Sequence, residues 1–211
     1  MKRFCTNLIA TIVVWLRVRE IRIIGAENIP PKETGYILVC NHVSYFDPAL
    51  IWKVVNRPAR WWMKTDILFW LVDSIFVALA KPLLGIIPIN RKKRSKKRSR
   101  RPIDDSLPML ESGEVIAIFP AGTRKSDKMV FAGAIELAME SGAPILPVAV
   151  IGTRGLANPF EFIIQRGRAG VTVVIGEPYG LSRNGQPKNR QRLDELRNIE
   201  SKIGALITLA S

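Results

Sequence analysis

With 211 residues the chain is sized for one domain with a substantial core. Two cysteines, Cys5 and Cys40, exclude a disulfide framework and a zinc pattern and point to a reducing compartment. A net charge of +14 beside 47% hydrophobic residues and a slightly positive mean hydropathy favours a membrane surface over a soluble nucleic-acid binder.

Residues 1–19 open with Lys2-Arg3, continue through an apolar stretch with Trp15 near its end, and close on Arg17 and Arg19. No small-residue cleavage site follows, so a signal peptide does not fit. About 13 uncharged residues fall short of the roughly 20 a spanning helix needs. The expectation is an interfacial helix over 1–19 with a single domain over 20–211; a buried core helix is the alternative.

A weakly alternating strand is expected over Glu20–Ile24, then a loop marked by Pro30-Pro31 and Gly35. Tyr36–Cys40 reads as a short buried strand. It runs into Asn41-His42-Val43-Ser44-Tyr45-Phe46-Asp47, which carries the only histidine of the chain. Asp47-Pro48 suits Ncap and N1 of a following helix. On a continuous helix His42 and Asp47 would point about 140° apart. A turn removes that problem and can return the carboxylate to the ring. A carboxylate on one ring nitrogen fixes the tautomer and makes the other a better base. By itself an H-x4-D turn is also compatible with a polar turn in which Asp47 only caps the helix.

Ala59–Lys64 reads as a strand. Ile67–Ile87 is apolar apart from Asp73 and Lys81 and is broken by Pro82 and Gly85, which predicts two short apolar helices rather than a membrane span. Arg91–Arg101 holds nine basic residues and no acidic one; without it the net charge falls to +5. Nucleic acid, anionic lipid or a solvated loop can each account for such a run. No aromatic residue interleaves with it, so a base-stacking platform is missing and nucleic acid is disfavoured. A helix over Ile103–Leu110 despite Pro108, a strand over Val115–Phe119, a helix over Gly133–Ser141, strands over Ile145–Ile151 and Val171–Ile175, and an amphipathic C-terminal helix complete the pattern. Alternating strands and helices predict a single α/β domain, with a mixed, largely parallel sheet flanked by helices.

Phe119-Pro120-Ala121-Gly122-Thr123-Arg124 leaves a strand end, where open α/β sheets bind ligands. Gly122 permits close backbone approach, Thr123 can donate, and Arg124 offers a planar fork suited to phosphate. An N-H-x4-D turn about 75 residues before a strand ending F-P-x-G-T-R resembles the glycerolipid acyltransferase family, which includes the 1-acyl-glycerol-3-phosphate acyltransferases. The family's second block, ending in an arginine after a strand, looks like Gly85-Ile86-Ile87-Pro88-Ile89-Asn90-Arg91, and its fourth, an apolar strand containing proline, like Ile145-Leu146-Pro147-Val148-Ala149-Val150. Four blocks in order cover about residues 20–180.

The resemblance implies a membrane-associated enzyme. It would move a fatty acyl group from acyl-CoA or acyl carrier protein to the hydroxyl of a lysophospholipid acceptor, at the cytoplasmic face of a membrane. His42 would act as general base oriented by Asp47; Arg91, Gly122, Thr123 and Arg124 would hold the acceptor phosphate. No metal and no cofactor beyond the thioester co-substrate are implied. The expected partners are an anionic membrane surface, the lyso-acceptor and the acyl carrier. Ala121 stands where the family has glutamate. An engineered change, a relative with another acceptor and a weakened, lipid-binding homologue are the three readings. A Cys40–His42 acyl-enzyme is a separate rival, since residues two apart on a strand share a face.

Overall fold

The computed structural model describes residues 18–42, 44, 47–57, 59–64, 85–89, 96–119, 128–153, 169–181 and 189–210. The strands are β1 (Val18–Ile24), β2 (Tyr36–Cys40), β3 (Ala59–Lys64), β4 (Ile86–Ile89), β5 (Val115–Ile118), β6 (Ile145–Ile151) and β7 (Ala169–Ile175). The helices are α1 (Asp47–Val55), α2 (Lys96–Glu111), α3 (Lys128–Ser141) and α4 (Asn189–Leu209), with one 3-10 turn at Ala26–Asn28.

All seven strands form one sheet in the order β1-β7-β6-β2-β5-β3-β4. β6, β2, β5, β3 and β4 run parallel; β7 pairs antiparallel with β6 and parallel with β1. The carboxyl ends of the five parallel strands therefore share one edge. Central β2 is buried at all five positions, which is why it reads as a continuous apolar run rather than an alternating one. Its odd and even residues serve different cores. Tyr36, Leu38 and Cys40 pack with α1 through Leu50, Ile51, Trp52 and Val55. Ile37 and Val39 pack on the other face with α2, α3 and α4, which bring Ile103, Ile135, Leu137 and Ile199.

Several bounds differ from the sequence expectation. β1 starts at Val18, inside the stretch assigned to the interfacial helix; 1–17 lie outside the described residues. Ile86–Ile87, expected at the end of an apolar helix, belong to β4, which pairs Trp62 with Ile87 and Met63 with Pro88. Residues 67–84 are outside the described set. From Lys96 onward the basic run is helical, which corrects the loop reading for that half. Arg100 contacts Asp104 one turn on and reaches Glu136 and Glu140 of α3. α2 keeps both Pro102 and Pro108 inside it. There Ser106 donates back to the Pro102 carbonyl (2.6 Å) and accepts from the Trp62 indole (3.0 Å).

α1 stops at Asn56, a non-glycine residue in the left-handed region (φ 51°), a conformation asparagine tolerates at helix ends. The chain then turns Arg57 inward. Its guanidinium donates to the carbonyls of Pro31 (2.9 Å), Thr34 (3.1 Å), Lys32 and Gly113, and lies 5.2 Å from the Tyr36 ring centre. The residue is only 7% exposed. A buried cation answered by carbonyls and the Tyr36 ring ties the loops that lead into β2 and β5. Arg57→Met removes that charge and strands the carbonyls, so about 3 kcal/mol of stability is expected to be lost. Urea unfolding with an unchanged m-value checks this.

Candidate active site

The site grows from the carboxyl end of β2. Where the β2 backbone leaves the sheet, the Asn41 side chain takes over its pairing with β6. Its Nδ2 donates to the Val150 carbonyl (2.8 Å), and the Val150 N–H donates to its Oδ1 (2.7 Å). A primary amide presents the same donor and acceptor pair as a peptide, so the ladder continues one step while the main chain is released to turn.

That turn carries His42 back to Asp47. Nδ1 of the imidazole lies 3.1 Å from Asp47 Oδ2. The ring keeps 32% of its surface exposed, whereas the carboxylate has none. Oδ2 also accepts from the Ser44 N–H (2.8 Å), and Oδ1 accepts from the Thr153 hydroxyl (2.8 Å). Asp47 is the first residue of α1 rather than the residue before it, and these partners all lie outside the helix. The carboxylate meets a histidine, a backbone N–H and a distant hydroxyl. Its negative charge still sits at the end of the helix dipole that favours it.

On its other side the imidazole meets Phe119, with ring centres 4.7 Å apart, and Phe119 stacks on Trp61 at 5.4 Å and 4°. Phe119 is the first residue of the Phe-Pro-Ala-Gly-Thr-Arg segment. The start of that segment and the N-H-x4-D turn thus meet at one edge, as expected of adjacent parallel strands in register. Gly122, Thr123 and Arg124, together with Ala121 and Arg91, lie outside the described residues.

Cys40 is fully buried among the residues facing α1, with its Sγ 3.5 Å from Asn41 Oδ1. Burial pushes its thiol well above the ordinary range, and the Asp47 carboxylate adds to the rise. A thiol kept protonated and closed to solvent is not an activated nucleophile. The acyl-enzyme alternative therefore loses its physical basis.

Thr153 and the bridging role of Asn41 were not anticipated from sequence. The available signal was topological. Ile151-Gly152-Thr153 leaves the end of β6, and the strand beside β2 is the natural source of a side chain at the β2 edge.

Comparison with known proteins bears on the family and the fold. A family model described as Acyltransferase matches residues 20–151. A protein named 1-acyl-sn-glycerol-3-phosphate acyltransferase from Borreliella burgdorferi is 32% identical over 156 residues, covering 72% of this chain and 58% of that protein. The chain therefore spans less than two thirds of that relative's length. One of the same name from Bacillus subtilis is 23% identical over 216 residues, covering 98% of this chain and 100% of that protein. The crystal structure of PlsC, the 1-acyl-sn-glycerophosphate acyltransferase of Thermotoga maritima, shares the fold. Its TM-score is 0.67 at 22% identity, over 99% of this chain and 80% of that one.

Asn41→Ala leaves both polar groups of the Val150 peptide without their side-chain partner. A loss of about 1–3 kcal/mol is expected, read as a lower urea midpoint. An unchanged midpoint would show that the paired contact carries no stability.

Proposed function

Because this chain belongs to the acyltransferase family, we propose that it transfers a fatty acyl group from acyl-CoA or acyl carrier protein to the free hydroxyl of 1-acyl-glycerol-3-phosphate. The observation that carries this reading is the contact of His42 Nδ1 with the fully buried Asp47 carboxylate, at the sheet edge from which the Phe119 segment departs. With Nδ1 holding its hydrogen towards Asp47, Nε2 is the basic nitrogen. It takes the acceptor hydroxyl proton as the oxygen attacks the thioester carbonyl. Collapse of the tetrahedral intermediate expels the thiolate, which recovers a proton from the imidazolium. The ester forms, the thioester breaks and no acyl-enzyme is needed, in keeping with the buried, protonated state of Cys40.

Arg91, Gly122, Thr123 and Arg124 are assigned to the acceptor phosphate on the strength of their motif positions. Arg124 supplies the planar fork and Arg91 a second positive charge after β4. Residues 1–17 and the basic run are assigned to an anionic membrane surface, with the enzyme peripheral on the cytoplasmic face. Among the described residues no helix is long and apolar enough to cross a membrane.

Ala121 supports a second reading of the acceptor. A methyl cannot accept a hydrogen bond from an acceptor hydroxyl or brace a neighbouring arginine. A lysolipid other than lysophosphatidate, or slow turnover of lysophosphatidate itself, fits that loss.

Labelled acyl-CoA with a panel of lyso-acceptors, products resolved by thin-layer chromatography, tests the assignment. His42→Ala is expected to lower transfer by about 10²–10⁴-fold, the usual worth of a general base; undiminished transfer would refute the base assignment. Ala121→Glu is expected to raise transfer to lysophosphatidate about ten- to a hundredfold, the worth of one charge-assisted hydrogen bond. Unchanged kinetics in that variant would remove the acceptor-side role of position 121.

A further inference from the structure

We propose that Thr153 is a positioning residue for acyl transfer, holding the Asp47 carboxylate in the rotation that presents Oδ2 to Nδ1 of His42. The inference rests on the functional reading above and extends it to a residue 106 positions from the carboxylate it serves.

The torsion that swings a carboxylate about its Cβ–Cγ bond is broad, so sterics alone do not choose which oxygen faces the ring. At Asp47 the Ser44 N–H and the His42 Nδ1 both fall on Oδ2. Donors on both oxygens hold the plane of a carboxylate more firmly than donors on one. The Thr153 hydroxyl engages the opposite oxygen at 2.8 Å and fixes the plane. Thr153 is 1% exposed and Asp47 0%, so bulk water is no ready substitute for that donor. A β-branched side chain also has few rotamers to lose when it holds the hydroxyl in place.

The backbone around Thr153 is shaped for this contact. β6 ends at Ile151, and Gly152 adopts φ +95°, a conformation that L side chains rarely adopt. A Cβ at Gly152 would collide with the carbonyl oxygen of Gly170 in β7. Only glycine lets the chain bend here against the neighbouring strand and return Thr153 to Asp47. Two residues earlier, Val150 is paired with Asn41. The end of β6 therefore grips the His–Asp turn at two points, the Asn41 amide and the Asp47 carboxylate.

The single histidine makes the test direct, because 15N spectra of the ring report His42 without assignment ambiguity. In wild type the neutral ring is expected as the Nδ1–H tautomer, with well-separated 15N shifts, since the bond at one nitrogen sets the proton on the other. Thr153→Val keeps the shape and removes the hydroxyl. Its two nitrogen shifts are expected to converge, and kcat to fall about 10- to 100-fold with the acceptor KM within about twofold. Thr153→Ser is expected to restore both readings. If the valine variant does not fold, Thr153→Ala carries the same readings. Unchanged nitrogen shifts, undiminished kcat, or failure of serine to restore them would overturn the role. If wild type transfers no acyl group to any acceptor tried, the functional reading fails. The nitrogen shifts then still decide whether Thr153 orients Asp47.

Discussion

A carboxylate with no surface in contact with water has to have its charge answered by donors the chain itself supplies. At Asp47 those donors come from separate stretches of chain: the β2–α1 turn, which brings His42 and the Ser44 N–H, and the end of β6, which brings Thr153. Leaving such a charge unpaired in the interior would cost several kcal/mol. Folding of β6 beside β2 and orientation of the imidazole are thus one constraint. The same contacts that make the buried anion tolerable also set the ring.

α1 shows the matching constraint at its other end. The helix begins at buried Asp47 on the carboxyl edge of the sheet and stops two residues before buried Arg57. Arg57 is answered by carbonyls of the segments that enter β2 and β5. Nine residues span about 13 Å, close to the length of a four-residue strand. A negative charge at the start and a positive one past the end each meet the sign the helix dipole favours. α1 is therefore fastened to both edges of the central strands. His42 leaves β2 only five residues before the anchored end, so the imidazole is referenced to a fully buried residue.

How much of this could be read from the chain depended on the range of each interaction. His42 and Asp47 were legible because they are five residues apart and the intervening turn is short. The buried strands were legible because β2, β5 and β6 are unbroken apolar runs, too short for helices. Ile86–Ile89 was less so. By composition it ends a long apolar stretch, and it was the family's second block, with its arginine after a strand, that pointed to the strand now seen paired with Trp61–Lys64. The second half of the basic run hid a helix because its acidic partners, Glu136 and Glu140, lie on α3 some forty residues away. Asn41 and Thr153 were invisible for the same reason. Their partners are 109 and 106 positions distant, and no local period marks a residue whose purpose is to touch another strand.

The placement of these residues also bears on Ala121. The hydrogen bonds described around the His42–Asp47 pair come from the β2–α1 turn and the end of β6. The segments assigned to the acceptor phosphate follow β4 and β5, on the other side of β2 from β6 in the sheet order. Phe119, two residues before Ala121, touches the ring face and not the carboxylate that orients it. The bonds described on Asp47 come from His42, Ser44 and Thr153. On the proposed function, replacement of a glutamate at 121 acts on how the acceptor is held and not on the power of the base.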